Sequence, residues 1–365
     1  MTRLVRAAVM PAPRAAIEVR ALPEPALEPG AAILETIASE VCGTDVHLWH
    51  GRLDGVPYPI IPGHVSVGAI AEHHGPLADV VGRPLKVGDV VTFLDVHETC
   101  HRCWYCLVAK ETTRCPSRRV YGITYSADEG LLGGWAEAIW MKPGVKLIKL
   151  PEGLDPRTFI GGGCGLVTAL HATDLARLRL GESVAVLGAG PVGQSAIAFA
   201  ALSGAGEVIA IGDPPDRLAF AERMGATMTL GLDVPAAERA EAVRARTGGR
   251  GVDVVIEVSG DPRAVPQALD LVRDGGRVIV AGQYTDHGDV PLNPHRQINR
   301  KHVEIKGCWG SDYSHFHRAV ALAAQHQDRV PWRELAGRTY SLEEAGEALA
   351  AVERREVLKA VIKPN

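Results

Sequence analysis

VAVLGAGPVGQSAIAFAALSG, residues 184–204, joins a run of aliphatic residues to an alanine-rich segment through a glycine turn. Gly188, Gly190 and Gly193 stand in GxGxxG spacing, with Pro191 and Val192 between the second and third. The spacing alone is weak evidence, but here a strand pattern precedes it and a helix pattern follows. In that setting each glycine has a physical reason: a tight turn at 188, close backbone approach to a pyrophosphate at 190, and close helix packing at 193. The helix N-terminus then offers free amides and the positive end of its dipole to phosphates. A helix-capping glycine turn with no ligand is the bland alternative.

Outward from this turn, apolar strands alternate with helical patterns, which is the signature of a doubly wound parallel sheet. Strands are expected over 183–187, 207–211, 252–257, 277–280 and 303–305, and helices over 192–203, 215–224 and 262–271. Residues 4–148 break often at Gly and Pro, with short β-rich runs at 31–37, 65–71 and 89–94, so a mainly β domain is expected there. From 314 onward two helices are expected around 343–352, then a strand over 358–362 that returns to the first domain.

The next strand ends in VIAIGDPPDRL, residues 208–218, about 20 residues on from the glycine turn, where a dinucleotide site reads the ribose. The acidic position falls on Gly212 or, after a shift of one, on Asp213. A carboxylate at 213 would accept from ribose hydroxyls and repel a 2′-phosphate, which favours NAD. Gly212 and Arg217 are the features that would accommodate NADP, and a plain turn residue is the competing role for Asp213.

With 365 residues, 46% of them hydrophobic, and a formal net charge of -4, the chain reads as a globular protein of two domains. Acidic residues outnumber basic ones and no long Lys/Arg run appears, which argues against a nucleic-acid binder. The densest basic cluster, His295, Arg296, Arg300, Lys301 and His302, is read first as a solvated loop. No stretch approaches a membrane span and the start lacks a signal-peptide core, so a cytoplasmic protein is expected.

In such a reducing compartment disulfides are rare, and the seven cysteines need another explanation. CHRCWYCLVAKETTRC, residues 100–115, sets Cys100, Cys103, Cys106 and Cys115 in one compact loop. Four thiolates so placed match a closed tetrahedral structural zinc site better than an iron–sulfur cluster. Cys42 in EVCGTDVHLWHG, His64 in IIPGHVSVG and Cys164 in GGGCGLVTALHA stand apart. A catalytic zinc uses three protein ligands and an open position, and Cys/His/Cys is one solution. Taken singly, each is as easily a core cysteine or a hydrogen-bonded histidine.

CGTDVH, PGH, the CxxCxxC loop, GCG before a helix and GxGPVG follow one another in an order that resembles the zinc-containing medium-chain dehydrogenases/reductases, the alcohol dehydrogenase family. The resemblance runs over essentially the whole chain. It implies a GroES-like mainly β catalytic domain at 1–164, a Rossmann domain at 165–308, and a C-terminal part at 309–365 that rejoins the first. It implies zinc at two sites, a catalytic one at Cys42, His64 and Cys164 and a structural one at the four-cysteine loop, leaving Cys308 to the core. The function implied is hydride transfer between a small-molecule alcohol and NAD, with NADP possible, in a homodimer or homotetramer.

By the same resemblance Thr44 is the hydroxyl that hydrogen-bonds the substrate oxygen, His47 ends a proton relay, and Asp45 orients His64. Thr168 falls near the nicotinamide, Arg217 at the ribose and Lys359 at the pyrophosphate. Two departures stand out. Val65 replaces the acid that the family carries after the histidine, which should leave the metal's surroundings less negative. The loop before Cys115 is one residue longer, which a local bulge would absorb.

Within the family, an NADP-linked aldehyde or ketone reductase and a polyol dehydrogenase are the rivals; Cys164 argues against the polyol branch. From another class, a non-catalytic nucleotide-binding module is disfavoured by the full set of ligands. Leu48, Trp49, Phe93 and Trp104 hint at an apolar pocket for a secondary or alicyclic alcohol, with ordinary core packing as the alternative.

Overall fold

The computed structural model describes residues 3–364. The chain divides into two compact units. One holds the chain up to Gly163 together with Asp312–Gln327 and the stretch from Trp332 on; the other holds Cys164–Ser311 and Asp328–Pro331.

In the second unit six strands form a wholly parallel sheet in the order Met228–Gly231, Glu207–Gly212, Ser183–Leu187, Val252–Glu257, Val272–Val280, Glu304–Gly307. In sequence rank this is 3-2-1-4-5-6, the dinucleotide-binding order, whose direction reverses beside Ser183–Leu187. Aliphatic runs suit strands covered on both faces, and Val184, Ala185, Val186, Val254 and Val255 are all fully buried. The helices Pro191–Leu202, Pro215–Met224, Ala236–Arg246 and Ala264–Leu271 connect successive strands.

The first unit is built on a seven-stranded sheet whose centre is Ala32–Val41. That strand pairs antiparallel with Ser66–His73, with Ala138–Met141 and with the last strand of the chain, Lys359–Ile362. Its core gathers Val9, Ile33, Leu48, Ile60, Trp135, Leu349 and Ile362, so residues from both ends of the chain share one apolar cluster.

Leu48 and Phe93 are core residues of this unit. Trp49 packs against the same core and donates its indole N–H to Ala15 O at 3.0 Å. Trp104 is 62% exposed on the four-cysteine loop. Packing, not a pocket wall, accounts for the first three. Lys301, placed by sequence in a solvated basic loop, is half-buried, and its ammonium donates to Leu269 O and Val272 O at the end of the helix Ala264–Leu271. It neutralises carbonyls at a helix C-terminus. Among the described residues no helix is long and apolar enough to cross a membrane.

Candidate metal centres and nucleotide turn

Cys42 ends the central strand's run and starts the short helix Gly43–Trp49. The backbone N–H of Cys42 donates to Asp45 Oδ2 at 2.8 Å. Asp45 thus closes the first turn, as acidic residues near helix N-termini do. No hydrogen bond joins its other oxygen to His64 Nδ1, yet the charge of each group acts on the other. Thr44 and His47 sit half-buried on the same short helix.

His64 lies just before the strand Ser66–His73, and its Nε2 stands 3.9 Å from Cys42 Sγ. Cys164 follows Gly163, where the helical run Pro156–Ala176 breaks at φ 49, ψ -138. One donor atom each from Glu40, Cys42, His64 and Cys164 lies within 4.8 Å of all the rest. Burial opposes charge on His64, yet Cys42, Glu40 and Asp45 outweigh it and lift the imidazole to about 10. Two thiolates and an imidazole are a donor set that suits zinc.

Glu40 was not singled out from sequence. It is fully buried, and its Oε1 lies 3.4 Å from His64 Nε2. The surroundings of the three ligands are therefore not left less negative by Val65. The available signal was an acid two residues before Cys42 in the same extended run, hence on the same face, together with the missing acid after His64. Lys359 is corrected as well. It is fully buried, and its ammonium donates to Glu40 Oε2 and, at 3.0 Å, to Gly162 O. An ammonium fixed in that way is not presented to a pyrophosphate.

Donor atoms of Cys100, Cys103, Cys106 and Cys115 form a second group within 4.8 Å. Cys103 Sγ and Cys106 Sγ are 3.6 Å apart, and Cys100 N donates to Cys115 Sγ at 3.2 Å. The backbone N–H of Arg102 favours the Cys100 thiolate and brings it down to about 6. The loop before Cys115 makes a wide turn. Glu111 N reaches Tyr105 O at 2.9 Å, and Lys110 between them has φ 59. This set also fits zinc. Cys308 is buried core, its thiol pushed up to about 12 by burial.

At the glycine turn, a Cβ on Gly193 would overlap the Gly188 carbonyl, whereas one on Gly190 would meet nothing within 4 Å. Packing thus requires glycine at 193, while the space at 190 is open, the arrangement a pyrophosphate needs. Pro191 opens the helix Pro191–Leu202, with Val192 beside it, and Gly190 is its N-cap. The stretch after Cys164 lies on this turn: a Cβ on Gly165 would stand 2.9 Å from Pro191 C and 3.0 Å from Val192 N. Thr168 is half-buried on the same stretch. Asp213 is exposed just past the strand Glu207–Gly212, and Arg217 is half-buried on the following helix. Its carbonyl accepts from Gln194 Nε2 at 2.8 Å. A Cβ on Gly212 would come within 2.8 Å of Ala189 Cβ and 2.9 Å of its N, so close packing on the glycine turn accounts for the missing side chain there.

Residues 28–152 match the alcohol dehydrogenase GroES-like domain and residues 191–325 the zinc-binding dehydrogenase domain. The chain is 35% identical to 5-exo-hydroxycamphor dehydrogenase of Pseudomonas putida over 92% of each chain. It is 31% identical to an alcohol dehydrogenase of Geobacillus stearothermophilus over 97% of each. Among solved structures, an alcohol dehydrogenase from Thermotoga maritima superposes with a TM-score of 0.95 at 33% identity, covering 100% of both chains. A zinc-binding dehydrogenase from Sinorhizobium meliloti, bound to NADP, gives 0.87 at 27% identity, covering 99% of this chain and 100% of that one.

Proposed function

The chain belongs to the zinc-containing medium-chain dehydrogenase/reductase family, and on that footing we propose that it oxidises a neutral secondary or alicyclic alcohol with NAD, using Cys42, His64 and Cys164 as the catalytic zinc site. That it is an oxidoreductase acting on alcohols, with zinc and a nicotinamide cofactor, follows from its relatives. The observation that carries the site is the convergence of those three donors, from three separate segments, within 4.8 Å. The substrate class rests on the hydroxycamphor-named relative at 35% identity.

Cys42 and Cys164 bind as thiolates and His64 through Nε2. Bound there, zinc supplies Lewis acidity toward the substrate oxygen. Thr44, two residues after Cys42, accepts the alcohol's proton into a relay that His47 passes on to water. The amides at Gly190, Val192 and Gly193 hold the pyrophosphate, Asp213 the ribose hydroxyls, Arg217 the ribose edge, and Thr168 borders the nicotinamide. The four-cysteine loop holds structural zinc.

Initial rates with primary, secondary, alicyclic and polyol alcohols, each with NAD and NADP, test this reading. Turnover is expected to be fastest with a secondary or alicyclic alcohol and NAD and to vanish with a strong zinc chelator. A polyol preference would overturn the substrate class. NADP is the second reading, favoured by Arg217 and the NADP-bound structural relative. A higher kcat/KM with NADP would replace the role given to Asp213.

A further inference from the structure

The strand Ala32–Val41 carries an acid where it faces the metal ligands, and the strand it pairs with carries none. Glu40 N donates to Val65 O at 3.1 Å, and Ser39 pairs with Ser66, so positions 40 and 65 lie across one ladder. The carboxylate absent after His64 is present on the neighbouring strand. Its two oxygens have different surroundings: Oε2 accepts from the buried Lys359 ammonium, while Oε1 faces His64 Nε2 at 3.4 Å. Gly163 leaves room for the pair, since a Cβ there would overlap both the Glu40 carboxylate and the Lys359 ammonium.

Burying a carboxylate is costly unless it is paired or bound to a metal. Here a cation is already beside it, and a second cationic position lies among the donors it faces. Four protein donors make a closed zinc site, whereas an alcohol needs an open position. Glu40 has the Lys359 ammonium to return to.

We propose that Glu40 is a fourth, displaceable protein donor to the catalytic zinc, and that Lys359 is the positioning residue that holds its second oxygen and draws it off the metal. Glu40 takes over, from across the strand pair, the place left by Val65. This rests on the assignment of Cys42, His64 and Cys164 to that zinc.

The test uses the zinc-replete full chain and Glu40→Gln, Lys359→Met, Glu40→Gln/Lys359→Met and, as control, His64→Asn. Two readouts are taken: zinc per chain during competition with a chromophoric chelator, and the visible spectrum after cobalt is exchanged into the catalytic site. In Glu40→Gln one zinc should leave about tenfold faster or more, while the four-cysteine zinc stays, the scale typical of groups that support a metal site. The cobalt band should shift with it. In Lys359→Met, where the carboxylate loses that ammonium, release should slow. The double variant should behave as Glu40→Gln does, because Lys359 acts through Glu40. It also removes both buried charges together, so it serves if a single variant does not fold.

Zinc release and cobalt spectrum unchanged in Glu40→Gln or in the double variant, with metal lost in His64→Asn, would overturn the role of Glu40 and leave the three-ligand site standing. Both zincs retained in His64→Asn would overturn the site reading and this inference with it.

Discussion

Gly163 concentrates the residue-scale argument. Its φ of 49 with ψ -138 is a conformation that side-chain-bearing residues adopt at a cost of about 1–3 kcal/mol. A methyl group there would also overlap the Glu40–Lys359 pair, and breaking a buried ion pair costs roughly 3–5 kcal/mol. Gly163→Ala is therefore expected to destabilise the first unit by about 4 kcal/mol or more and to release the zinc held next to Cys164. Urea unfolding and metal content measure both. A variant with wild-type midpoint and two zincs would show that the helix break does not position Cys164. The candidate metal donors were legible in the sequence, because each sits in a short motif with its own spacing. Glu40 and the true partner of Lys359 were not. Their meeting depends on which strand lies across from Val65, and register is a property of paired strands that no local motif records.

At the scale of elements, the apolar strands were legible from composition. Ser183–Leu187 and Val252–Glu257 fall where the aliphatic runs do. The strand Met228–Gly231 and the helix Ala236–Arg246 were missed. The first is four half-buried residues at the sheet's edge, and the second carries Glu and Arg over most of its surface, so neither shows a clean apolar period. What ties strands together was also out of reach. Asp253 Oδ2 accepts from Ser183 N at 2.8 Å and from Ser183 Oγ at 2.7 Å, and its Oδ1 accepts from Arg273 Nε at 2.6 Å. Burial works against this carboxylate's charge, but the Ser183 and Arg273 donors outweigh it and hold its pKa below the ordinary value. A lowered folded-state pKa gives stability that is present above the unfolded value, about 3.9, and lost as pH falls through the folded one. Asp253→Asn should cost roughly 1–2 kcal/mol at pH 7, allowing for partial exposure. Below about pH 4 that deficit should shrink as the wild-type carboxylate takes up its proton. Thermal midpoints of both proteins from pH 7 to 3 check this, and a deficit independent of pH would mean that the cost lies in the lost acceptor oxygen and not in the charge.

At the scale of the whole molecule, the parallel sheet could be anticipated because each strand–turn–helix repeat is local, whereas for the first unit a returning strand at 358–362 could be anticipated but not its register. Lys359–Ile362 completes that unit through Ala360↔Val41, Val361↔Glu40 and Ile362↔Ser39, and through its parallel pairing with Ala336–Tyr340. The bond from Lys359 to Glu40 spans a sequence separation of 319 residues. Chain ends usually fray, but this strand is fully or nearly fully buried and flanked on both sides. A segment so held should open only with the element it pairs with. In native-state hydrogen exchange under rising urea, the amides of 360–362 should therefore merge with those of 39–41 into one isotherm, distinct from that of Ser183–Leu187. The coupling also runs to the metal: the same strand that carries Glu40 runs into Cys42, so stripping zinc should lower protection of 39–41 and 360–362 by the same factor. Fast exchange confined to 360–362, with 39–41 still protected, would show that the returning strand adds little to the unit's stability.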